Sequence, residues 1–144
     1  QQFGNTNIFS ISGINDIFKR IVSIEANDDA TIAVFKSTVS IAGGTADTGG
    51  DGALKKANVK YVRVTNLDSA NSVNLSLQLD SDEDNSAADL SVTHLLEAGK
   101  SFVMGVVHAD DDAAAIVTSL TDVESIIIDP GSNTGKIELL VAST

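Results

Sequence analysis

Residues 60–80 read KYVRVTNLDSANSVNLSLQLD. Val73, Leu75, Leu77 and Leu79 alternate there with Asn74, Ser76, Gln78 and Asp80. Successive side chains leave a strand on opposite sides, so this period of two marks a strand with one buried and one wet face. The run before it, VKYVRVTNL (59–67), is also rich in Val and Thr and is separated from it by DSANS. The pair is therefore expected to form an antiparallel hairpin with a turn longer than the minimum.

Outward from this pair the same pattern recurs. IFSI (8–11), IFKRIVSI (17–24) and ATIAVFKSTVSIA (30–42) read as strands, the last bending or breaking near Lys36-Ser37. LSVTHLL (90–96), SFVMGVVH (101–108), AAIVTSL (114–120), ESIIID (124–129) and KIELLVA (136–142) follow. SGIND, EAGK and DPGSNTG supply turns; in the last, Pro130 presets φ while Gly131 and Gly135 permit positive φ. AADLSVTHLLEAG (87–99) is the best helical rival, but its Ser, Val and Thr favour a strand. Nine or ten short strands without helical crossovers predict an all-β, antiparallel β-sandwich, jelly-roll-like.

The 144 residues suit a single sandwich domain. A polar N-terminal arm, about 1–7, is anchored by Phe3 alone, and GGTADTGGDG (43–52) is expected to be a mobile surface loop. The nearby Lys55-Lys56 does not complete a phosphate-binding loop, which requires a Lys-Ser or Lys-Thr ending that opens a helix. With no Cys, neither disulfides nor thiolate metal sites are available. No apolar run reaches the roughly 20 residues of a membrane span, and no signal-peptide pattern opens the chain, so no membrane partner is expected.

Charge is unevenly placed. Residues 1–67 hold 7 basic and 6 acidic groups, whereas residues 68–144 hold 2 and 14, within a formal net charge of −11. Such a field repels phosphate backbones and argues against nucleic-acid binding.

The acidic clusters invite a metal reading. Asp80, Asp82 and Asp84 have the opening spacing of a calcium loop, but Asn85 and Ser91 stand where an EF-hand needs Gly and Glu. The choice left is a looser calcium site, with Asp110, Asp111 or Asp112 assisting, or a solvated turn; no cofactor is expected. His94 and His108 lack the companions of a zinc site. Ser101 lacks a nucleophile-elbow pattern, so no catalytic residues are assigned and the chain is not expected to be an enzyme. Lys55, Lys56, Lys60 and Arg63 read either as protection of an edge strand or as a docking patch for an acidic partner.

YVRVTNLDSANSVNLSLQL, LLEAGKSFVMG and ESIIIDPGSNTGKIELLVAST together set a strand ending in VTN, a second strand, AGKSF leading into a third, and a closing KIELLVAS strand. This pattern, over residues 58–143, resembles small virion proteins of tailed bacteriophages, particularly those of marine and cyanobacterial phages: capsid decoration or cement proteins and related components. The resemblance implies a non-enzymatic virion protein that binds the major capsid protein or another virion protein. It also implies a homo-oligomer, with a trimer as the form suited to threefold positions, and assembly in the host cytoplasm. Phe3, Lys55, Lys56, Lys60 and Arg63 would then be the partner-binding residues, with the arm pairing to a neighbour's sheet edge. The rival readings are an adhesion or carbohydrate-binding module, and a tail or connector component of the same fold.

Overall fold

β-Branched and aliphatic runs at period two become strands because each buries one row of side chains against a facing sheet. A computed structural model describes residues 11–36, 53–79, 90–105 and 123–144. Nine strands occur among them: β1 (Asp16–Ile24), β2 (Ala30–Lys36), β3 (Leu54–Lys55), β4 (Val59–Asn66), β5 (Val73–Leu79), β6 (Leu90–Leu96), β7 (Ser101–Gly105), β8 (Val123–Asp129) and β9 (Gly135–Ser143). A single 3-10 turn at Lys56–Asn58 separates β3 from β4.

The strands form a four-stranded sheet, β1-β9-β4-β7, and a five-stranded sheet, β3-β2-β8-β5-β6. Leaving β3 aside, the antiparallel pairs β1–β9, β2–β8, β4–β7 and β5–β6 nest one inside the next. A long two-stranded ribbon of this kind, folded over so that β9 also pairs with β4 and β8 with β5, is the jelly roll. The sandwich and jelly-roll expectation therefore holds, with one departure: β3 lies parallel to β2 over Phe35–Leu54 and Lys36–Lys55.

The expected hairpin between β4 and β5 does not form. β4 pairs with β9 and β7, whereas β5 pairs with β8 and β6 in the other sheet. The intervening residues 67–72 carry the chain across the end of the sandwich. Asn66 fixes that crossing: with 0 % exposure, its amide donates to the carbonyls of Asn71 (2.8 Å) and Leu96 (3.1 Å) and accepts from the N–H of Asp68 (3.0 Å). Asp68 then accepts from the N–H groups of Ala70 and Asn71, rounding the turn.

The core lies between the sheets. Val62, Val64, Ile137, Leu139 and Val141 from one sheet meet Ile32, Phe35, Leu75, Ile126 and Ile128 from the other, all essentially without exposure. Burial of each such side chain is worth about 1.5–3 kcal/mol relative to leaving it in water.

Several expectations fall outside the described residues: most of the 8–11 strand, the 114–120 strand, the ends of the 30–42 and 101–108 strands, and the 43–52 loop. Gly135 also departs from expectation. Gly131 takes positive φ (64°), but Gly135 does not. Gly135 sits at the start of β9, where a Cβ would stand 3.0 Å from the Pro130 ring. Space, not backbone freedom, selects glycine there.

Candidate functional site

The two outward sheet faces differ in chemistry. On β9, Ile137, Leu139 and Val141 point into the core, so Lys136, Glu138 and Leu140 point out. The register then aligns Lys19, Leu140, Arg63 and Val103 in one row across the four-stranded sheet. Ile21, Glu138, Thr65 and Ser101 form the next row.

Glu138 is the centre of this face. Lys19 Nζ lies 2.8 Å from its Oε2, and Arg63 Nη2 lies 2.8 Å from its Oε1. The hydrogen bonds donated by Lys19 first and Arg63 second hold the Glu138 carboxyl below the ordinary glutamate range. Around this triad the sheet exposes aliphatic side chains: Ile17 is 63 % exposed, Ile21 54 % and Val103 54 %. Ile17 and Ile21 lie on edge strand β1 and Val103 on the opposite edge strand β7, so exposed aliphatic groups flank the charged triad on both sides of the sheet.

The outer face of the five-stranded sheet is richer in hydroxyl and amide groups, with Leu95, 66 % exposed, standing among them opposite Asn74. Ser76 and Thr93 hydroxyls are 2.8 Å apart, and Gln78 Nε2 donates to Ser91 Oγ (3.0 Å). These cross-strand pairs account for the wet half of the alternation in 73–79. At one end the face opens into a hollow of about 550 Å³, floored by Ser76, Gln78 and Ile127 and rimmed by Asn27, Asp28, Asp29 and Asp129. A second hollow of about 350 Å³ lies at the β6–β7 turn, where the rings of His94 and Phe102 meet at 5.4 Å.

The candidate residues from the sequence are dispersed. Lys55 lies in β3, and Lys56 pairs with Glu124 of β8. Lys60 sits at a bulge where β4 meets β9. Arg63 is drawn into the Glu138 triad. The edge-protection reading fails for Lys60 and Arg63, because β4 lies between β9 and β7 in the sheet interior. A charge turned inward serves one edge instead: Arg20 of β1 shares the core-facing side with Leu139. It donates to the Ile32 carbonyl of the facing sheet (2.6 Å) and lies 5.9 Å from the Phe18 ring centroid.

Phe3, Asp80, Asp82, Asp84, His108, Asp110, Asp111 and Asp112 lie outside the described residues. Among the described residues no group of three or more His, Cys, Asp or Glu is placed to hold a metal ion. Sequence reasoning missed Ile17, Lys19, Ile21, Val103 and Glu138 as one surface. The alternation in residues 17–24 carried part of the signal, since its outward positions Ile17 and Ile21 are apolar where a solvent-facing edge strand would be polar.

No protein-family model and no curated protein matches the chain. Among solved structures it is similar to a chain described under "Bacillus endospore appendages form a novel family of disulfide-linked pili", with 14% sequence identity, a TM-score of 0.38, and coverage of 96% of this chain and 98% of that one. A likeness at that score carries no functional weight.

Proposed function

We propose that the chain is a non-enzymatic structural protein of a virion, which decorates or cements the capsid of a tailed phage by binding its subunits. The observation that carries this reading is the outer face of the β1-β9-β4-β7 sheet, where Ile17, Ile21 and Val103 stand in solvent around the Lys19–Glu138–Arg63 triad. A stiff sheet presenting aliphatic groups around fixed charges suits a broad contact with another folded surface. The sequence pattern of residues 58–143 supplies the virion part of the proposal, and the jelly roll adds only an analogy of fold.

Cementing requires the protein to bridge neighbours, and a slab with two unlike outward faces meets that requirement. The carbohydrate-binding alternative is less well supported. The larger hollow has hydroxyl-binding groups but no aromatic ring, while the rings at the smaller hollow, His94 and Phe102, face each other at 5.4 Å. Sugar sites draw much of their affinity from such rings.

Mass spectrometry and antibody-labelled electron microscopy of gradient-purified particles test the proposal. The chain should be present in many copies per particle, on the outer shell. Particles that lack it, or that carry it only inside the shell, sink the reading.

A further inference from the structure

We propose that copies of this chain dock face to back, the cationic outer face of the four-stranded sheet of one copy resting on the acidic hollow of the next copy's five-stranded sheet. The inference rests on the structural role proposed above and names a partner for the exposed face: a second copy of the chain.

Both halves of the contact are present on one molecule. Among the described residues, the first face carries Lys19, Arg63 and Lys136 against Glu138, with Ile17, Ile21 and Val103 flanking them. The hollow has Asp28, Asp29 and Asp129 at its rim, half-buried Ile127 in its floor, and no Lys or Arg in its lining. Positive groups with aliphatic neighbours thus meet negative groups with an aliphatic floor. Because the two sheets face outward in opposite directions, the pairing is heterologous. The symmetric alternative, this face against itself, would bring together two surfaces that each carry three cations and one carboxylate, and is opposed by like charge.

The net charge of −11 does not forbid the contact. All nine Lys and Arg lie in the described residues together with nine of the 20 acids, so the described residues are formally neutral. The eleven remaining acids belong to segments 37–52, 80–89 and 106–122. From strand spacing and rise, the sheet face measures on the order of 450 Å². A stable pairwise interface uses about 800 Å² per partner. Assembly is therefore weak and dependent on concentration, and it strengthens where a lattice already holds copies close together.

Two double variants of the full chain test the proposal. Ile17→Asp with Ile21→Asp spoils the sheet face, and Asp28→Lys with Asp29→Lys spoils the hollow; all four positions are exposed. Sedimentation velocity over rising concentration should show the unmodified chain forming species larger than a dimer, and each variant alone remaining monomeric. An equimolar mixture of the two should form a 1:1 dimer and nothing larger, because each partner retains one working half. Circular dichroism confirms the fold of both, and Val103→Asp replaces the first pair if that pair unfolds. A monomeric unmodified chain, a mixture that does not pair, or either variant assembling normally overturns the proposal. A monomeric chain that still copurifies with virions removes the stacking and keeps the particle role; assembly without any presence in particles does the reverse.

Discussion

Asn66 ends β4 with its side chain sealed from solvent, holding two backbone carbonyls and one backbone N–H. Asn66→Ala strips all three partners at once. The expected loss is about 2–4 kcal/mol, since each buried polar group left unsatisfied costs about 1–3 kcal/mol and solvent can reach some of them after relaxation. Urea unfolding measures it, and a variant as stable as the parent would refute the role. Glu138 makes a separate, pH-dependent contribution. Its folded pKa is depressed by Lys19 and then Arg63, so the unfolded chain takes up the proton first as pH falls. The stabilisation is complete above the ordinary carboxylate range and disappears as pH drops through the folded value. Lys19→Met should move the Glu138 titration upward, as read from its side-chain carboxyl carbon by NMR. An unmoved titration means Lys19 does not hold the charge. Asp68 follows the same sign, depressed by the N–H groups of Ala70 and then Asn71.

Strands were legible because their alternation is local, whereas their neighbours were not. The β4–β5 connection shows a turn in the sequence, yet nothing within 59–80 states that β4 binds β9, whose Glu138 lies 75 positions from Arg63. An Asn closing an aliphatic strand, with Asp68 and Asn71 just beyond it, was the hint available in the sequence that the chain turns away there. β3 escaped notice because two residues cannot show a period, and it exists only as an addition to β2. The Lys19–Glu138–Arg63 triad escaped for the same reason as the sheet order: three strands distant in sequence meet only through register. The turn before β9 makes a sharper test. Gly135→Ala drives a Cβ toward the Pro130 ring and Val73 and should cost about 1–3 kcal/mol by overpacking. Gly131→Ala meets no atom within 4 Å and pays only for its left-handed backbone, about 1–2 kcal/mol. Thermal melts of the two separate crowding from backbone strain, and a fully neutral Gly135→Ala would remove the crowding argument.

At the scale of the molecule, the described residues are formally neutral, and the net charge of −11 belongs to segments 37–52, 80–89 and 106–122. The sequence pI is about 4.2, so solubility should be lowest near that pH, where copies no longer repel. Glu138 and Asp68 resist protonation below the ordinary range, so the precipitate should be folded and should redissolve at neutral pH with its original circular dichroism spectrum. Irreversible loss of that spectrum would contradict the expectation. The placement of the first and last strands has a mechanical consequence. Asp16 pairs with Ser143 at one end of the β1–β9 ladder, and Ile24 with Gly135 at the other. Opposed tension gripping Asp16 and Ser143 would load one rung at a time and part the ladder like a zip, at low force. Compression normal to the sheets instead bears on every interlocked aliphatic group together. The body therefore resists squeezing better than pulling through these two strands.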